Sequence, residues 1–179
     1  MSGHSKWSQI KHKKALADSK KGKAFGKLAQ AISMAARANP DPAKNLRLKG
    51  EIERARAVNM PNESIQRAIR RVSEKDASAL VDIQLEFIGP ENSAIIVSAI
   101  TDNSNRTIGD LKKIAASFGV HMVGRGAVLW MFQKIDGEFV PFTPLDITDS
   151  TAREHLESFL EALDDHDDVQ ELATNVNRS

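Results

Sequence analysis

Near residue 76 the chain changes its hydrophobic period and the sign of its charge together. That coincidence constrains its folding more than any other feature. Residues 1–75 carry 18 Lys and Arg against 6 Asp and Glu, a net +12, whereas residues 76–179 carry 7 against 18, a net −11. The whole-chain balance of +1 conceals the split. Interspersed charge keeps a protein soluble, but a one-signed block of this size draws a polyanion, and an acidic companion limits indiscriminate sticking.

Ahead of the switch, apolar residues recur at helical spacing. Residues 1–17 show little periodicity and read as a basic arm. From Asp18 or Ser19 a helix is predicted to about Ala38, with Phe25, Leu28, Ile32 and Ala35 on one face and Lys20, Lys23 and Lys27 opposite. Asn39-Pro40-Asp41-Pro42 stops it. A second helix over about Asn45 to Val58 buries Leu48, Ile52 and Ala55, and a third carries Ile65, Ile69 and Val72 with Arg67, Arg70 and Arg71 on its other side. Lys75 to Ala79 reads as a linker.

Beyond it the period becomes that of strands. Val81–Ile88 alternates, Ala94–Ile100 is a continuous β-forming run, and Gly89-Pro90-Glu91-Asn92 joins them. Asp102 to Asn105 caps a helix that Gly119 ends. Ala127–Ile135 reads as a strand that places Trp130 in the core or on a sheet face. Asp136-Gly137 is a type I′ hairpin turn to Glu138–Phe142, a helix capped by Thr148 to Ser150 follows, and Val169–Val176 is the last strand. The expected fold class is α+β. A basic three-helix domain with its arm occupies 1–76. An acidic ferredoxin-like βαββαβ domain with an extra N-terminal strand occupies 77–179.

The candidate chemistry is binding. In the arm, His4, Ser5, Lys6, Trp7, Lys11, His12, Lys13 and Lys14 set cations around one aromatic ring. Lys20, Lys21, Lys23 and Lys27 continue the set on the first helix, and Arg67, Arg70 and Arg71 on the third. Such cations neutralise phosphates by releasing counterions. Trp7 either stacks on an unpaired base or tucks as a staple against the helices. Thr101 to Thr107, at a strand-to-helix turn, reads as a cap before it reads as an anion site. Asp164-Asp165-His166-Asp167-Asp168 lacks the spacing and glycine of a calcium loop and reads as an acidic loop, a contact for a basic partner. With no Cys and no H-x-x-x-H among five His, no metal site is expected. No catalytic motif, cofactor motif or small-molecule site emerges. The N-terminus has no apolar signal region and no run approaches membrane-spanning length, so a cytoplasmic location without membrane contact is expected.

Four stretches resemble one family. Ser2-Gly3-His4-Ser5-Lys6-Trp7 with Ile10-Lys11-His12-Lys13-Lys14 is similar to the N-terminus of the YebC/PmpR family, which includes the mitochondrial translational activator of cytochrome oxidase subunit I. Asn59-Met60-Pro61 with Ile65-Gln66-Arg67-Ala68-Ile69, Thr101-Asp102-Asn103 with Asn105-Arg106-Thr107, and Ala162-Leu163-Asp164-Asp165 with Asp167-Asp168-Val169-Gln170 continue the likeness. Members usually carry a further small α/β domain between the halves of the ferredoxin-like one. Here Lys134-Ile135-Asp136-Gly137-Glu138 closes that gap, and a short two-domain member is expected.

The resemblance implies a non-enzymatic regulator of gene expression that binds nucleic acid. Family members are described both as DNA-binding transcriptional regulators and as translation factors at the ribosome. A Lys-rich arm with one aromatic suits irregular RNA better than base readout in a duplex groove. A monomeric translation factor that contacts rRNA or tRNA is therefore the leading expectation, with DNA-binding transcriptional regulation as the alternative. An adaptor whose basic block binds protein comes third.

Overall fold

The structure, a computed structural model, describes residues 18–71 and 80–177, with residues 18–20 by their backbone alone. The arm, Val72, and the expected domain boundary between 76 and 77 lie outside the described residues. The chain divides into two compact units, one holding the helices together with residues 80–82 and 100–104, the other holding 83–99 and 105–177.

The helical unit is built from α1 (Asp18–Ala36), α2 (Leu46–Ala57) and α3 (Asn62–Arg70). The predicted apolar stripes are its core. Ile32, Ala35, Leu48, Ile52, Ala55, Ile65 and Ile69 are buried in one cluster, with Phe25 and Leu28 packed against it. Spacing of three and four residues puts each set on one side of its helix, and burial of those sides against each other supplies most of the helices' stability.

The second unit runs β1 (Val81–Ile88), β2 (Ala94–Thr101), α4 (Ser104–Ser117), β3 (His121–Val123), β4 (Phe132–Ile135), β5 (Glu138–Pro141), α5 (Ser150–Asp164) and β6 (Val169–Thr174). From β2 onward the order is βαβββαβ, the expected βαββαβ with one more short strand, behind the extra strand β1. The short strand β3 was not anticipated, and the pairing is not legible from order. The four-stranded sheet runs β3-β1-β2-β6, and β4 and β5 form a separate two-stranded ribbon. Helices α4 and α5 cover one sheet face through Leu111, Ala115, Leu156 and Phe159, packed with Phe87, Ile95 and Val97. The ribbon and the segment before it cover the other through Val128 and Phe132, packed with Ala94 and Ile96. Burial on both faces explains why β2 reads as a continuous apolar run.

Turns follow their chemistry. Asp136 and Gly137 have φ of 51° and 89°, as a type I′ turn requires. Gly89 sits where a Cβ would lie 2.7 Å from Ser93 Oγ, so the β1–β2 connection needs its bare backbone.

One expected strand is corrected. In Ala127–Ile135 only Phe132–Ile135 is extended, and Leu129–Met131 forms a 3-10 turn. Trp130, expected in the core or on a sheet face, is 70% exposed, its indole N–H donating to the Ala127 carbonyl at 2.9 Å. The cause is Glu86 of β1, whose buried carboxylate accepts backbone N–H bonds from Gly126 at 2.6 Å, Val128 at 2.8 Å and Leu129 at 3.0 Å. Those donors cannot also join a ladder, so the segment turns instead. Burial pushes the Glu86 carboxyl up, but the three N–H donors and the Arg125 charge outweigh it and hold it below the ordinary 4.5.

Glu86→Gln is expected to destabilise the protein by about 1–3 kcal/mol in urea titration, because it weakens three buried bonds at once. The sign with pH follows from a depressed folded pKa. Glu86 contributes fully above its ordinary 4.5, and that contribution is lost as pH falls through the lower folded value. The acid-side decline in stability should therefore be shallower in Glu86→Gln than in the wild type.

Candidate nucleic-acid interface

Three local devices fix the helices that carry the candidate cations. Asn45 caps α2, accepting the Leu48 N–H at 3.0 Å, while its amide donates to the carbonyls of Ala35 at 2.8 Å and Asn39 at 2.7 Å. One buried side chain thus serves the end of α1 and the start of α2. Ser33 Oγ of α1 donates to the Ala68 carbonyl of α3 at 2.8 Å. Asn59, with φ of 60°, closes α2. Its N–H bonds Arg56 O and that of Met60 bonds Ala55 O, both at 2.9 Å, so the chain reverses and Met60 is buried.

Packed in this way, α1 and α3 leave a groove of about 240 Å³ between them. Phe25, Gly26 and Ala29 line it from α1 and Met60 from the connection. From α3 come Ser64, Arg67 and Ala68, and from its C-cap Arg71, at the i, i+3, i+4, i+7 spacing of one helix face. Of the predicted binding residues, the structure brings Arg67 and Arg71 to this groove. Arg67 also reaches Glu63 at 3.1 Å, with both side chains exposed, so the pair is weak. Arg70 and Arg71 are exposed at the end of α3, where cations also suit the helix dipole. On α1, Lys21 and Lys23 are exposed and Lys27 is half-buried, and none of the three lines the groove. Lys20 is placed on α1 by its backbone. The arm residues from His4 to Lys14 lie outside the described residues. Sequence reasoning missed Gly26, Met60 and Ser64, although the spacing from Ser64 to Arg71 marks a shared face.

The second unit resolves the other two candidates. The start of α4 is occupied by the chain itself. Asp168, from the acidic run, accepts from Thr107 Oγ1 at 2.6 Å and Arg106 Nη2 at 3.0 Å. Burial raises the Asp168 carboxyl, but these hydrogen bonds and the charges of Arg106 and His166 prevail and hold it below 3.8. Asp168 is therefore a buried tie between the acidic run and α4, while Asp165 and Asp167 of the same run are exposed. Among the described residues no group of three or more His, Asp and Glu is arranged to hold a metal ion. No helix among them is long and apolar enough to cross a membrane.

Asp168→Ala should cost about 1–3 kcal/mol in chemical denaturation, since it removes the hydrogen bonds that buried Thr107 and half-exposed Arg106 make to the carboxylate. It should leave nucleic-acid affinity within twofold. A gain in affinity would mean that Asp168 masks an anion site.

Residues 5–75 match the TACO1/YebC protein N-terminal domain, and residues 80–136 match the TACO1/YebC second and third domain. The chain is 47% identical over 137 residues to a probable transcriptional regulatory protein of Thermoanaerobacter pseudethanolicus, a match covering 75% of this chain and 56% of that protein. It is 38% identical over 177 residues to a probable transcriptional regulatory protein of Dictyoglomus turgidum, covering 98% of this chain and 71% of that one. The chain thus spans little more than half the length of the Thermoanaerobacter protein. The fold is similar to the crystal structure of a conserved hypothetical protein from Aquifex aeolicus, with a TM-score of 0.85, 26% identity and 97% of each chain covered. Because the two family matches take in well over half of the 179 residues, the chain belongs to the TACO1/YebC family.

Proposed function

We propose that this protein is a non-enzymatic regulator of gene expression that binds nucleic acid through its basic N-terminal part, residues 1–76. The observation that carries the reading is the concentration of cations in the helical unit. Residues 18–71 hold thirteen Lys and Arg against five Asp and Glu, with Lys21, Lys23, Arg67, Arg70 and Arg71 all exposed. The binding set is the arm from His4 to Lys14, Lys20, Lys21, Lys23 and Lys27 of α1, and Arg67, Arg70 and Arg71 of α3. These groups recognise phosphate. They propose no reaction, and the protein acts by occupancy.

The nucleic acid in this reading is structured RNA at the ribosome. Trp7 stands among lysines, and a ring needs an unpaired base face, which rRNA and tRNA loops offer and duplex DNA does not. The second reading is transcriptional regulation through DNA, and it is favoured by the printed names of the Thermoanaerobacter and Dictyoglomus relatives.

Affinity for single-stranded RNA and for duplex DNA across a salt series, with ribosome pelleting, tests both. With about six phosphates neutralised on a single strand, log K should fall against log salt with a slope near ~−4. Replacing Lys23 and Lys27 by Glu should weaken binding without loss of helicity, since both lie away from the apolar face. Trp7→Ala should lower ribosome association and leave duplex binding nearly unchanged. A footprint on a promoter duplex at physiological salt, with no ribosome pelleting, would transfer the case to transcription. Retention of protein partners alone would refute both.

A further inference from the structure

The groove between α1 and α3 combines an apolar floor with two guanidinium groups. Phe25 and buried Met60 and Ala68 form the floor, and Arg67 and Arg71 stand one helical turn apart on the α3 wall. Its volume of about 240 Å³ lies below the ~300–1,000 Å³ of sites for drug-sized ligands, so it suits one planar ring and not a larger molecule. The unit that carries it has a cationic excess, thirteen Lys and Arg against five Asp and Glu over residues 18–71, although Glu63 lies 3.1 Å from Arg67. A ring joined to an anion is what such a site complements, and a nucleotide is both.

Gly26 offers a way to probe the groove. Glycine is among the poorest formers of helix interior, yet Gly26 sits in the middle of α1 on the lip of the groove. A Cβ there would meet no heavy atom within 4 Å. The same holds for Gly22 of α1 and Gly50 of α2, so the open space marks Gly26 as a place where a side chain can be added over the groove without a clash.

We infer that this groove takes one unpaired nucleotide of a single strand, its base against Phe25 and Met60 and its phosphate on Arg71 and Arg67. The inference rests on the nucleic-acid reading above and names a subsite for it. Duplex nucleic acid binds without using the groove, because its bases are not free to enter.

The test uses the full chain and a fluorescein-labelled single-stranded RNA of about 15 nucleotides, within the span single-strand sites cover, against the same sequence as a duplex. Gly26→Leu projects a side chain over the groove and should lower single-strand affinity about tenfold, the scale of one lost base contact, while duplex affinity stays within twofold. Gly50→Leu, on α2 and also open around its Cβ, makes the same change outside the groove and should leave both affinities unchanged. Arg71→Gln should make the single-strand salt slope shallower by about 0.7, one phosphate contact. Circular dichroism should show Gly26→Leu at least as helical as the wild type. Wild-type single-strand affinity in Gly26→Leu, or equal loss on single strand and duplex, overturns the subsite. If the Lys23 and Lys27 reversals still weaken binding in that case, the wider reading stands. If they too have no effect, that reading fails as well.

Discussion

Asn45 holds the basic unit together at its least protected point. The last carbonyls of one helix and the first amides of the next have no partners in their own helices, and in a small unit they lie close to the core. A single buried amide serves both, bonding Ala35 O, Asn39 O and Leu48 N. This sets the turn between α1 and α2, and the Asn59 reversal sets the turn between α2 and α3. Ser33 then ties α1 directly to α3. The groove and its arginines follow from those three polar contacts, because the apolar core, mostly Ala, Ile and Leu, is non-directional and would tolerate other angles.

The second unit uses buried carboxylates for a similar purpose. Glu86 gathers three amides of the 126–129 segment, and Asp168 gathers Thr107 and Arg106 at the start of α4. Each carboxyl is held below its ordinary pKa by the donors that point at it, Glu86 anchoring the 126–129 segment to β1 and Asp168 anchoring the acidic run to α4. The acidic surplus of residues 76–179 is thus partly structural. Two of its carboxylates are internal ties, and the surplus as a whole is not a measure of the surface charge a partner would meet.

Separation of charge along the chain gives the nucleic-acid reading its weight. Lys21, Lys23, Arg67, Arg70 and Arg71 are carried by helices whose opposite faces are core, and all five are exposed. An acidic companion keeps the net charge of the whole chain near zero, which limits general adhesion.

Much of this was legible in the residues. Spacing of three and four, with Asn45 before an apolar run and Gly119 after one, defines helices through local sterics and capping that need no distant partner. Alternation and the Asp136-Gly137 turn define strands and a hairpin in the same way. What the sequence could not decide is which edges pair and what covers each face. Glu86 alternates with Phe87 and so lies on the other side of β1, but only the folded chain lays the 126–129 amides across that side. Trp130 stands among Leu129, Met131 and Phe132 and carries the local signature of a strand, yet those amides, drawn to Glu86, turn it out to solvent. Arg67 and Arg71 announce a charged helix face, but a groove exists only because α1 crosses it at Gly26. Local backbone preference acts over a few residues and is written in order. Pairing, coverage and cavities depend on contacts between residues far apart in the chain, and tertiary structure alone decides them.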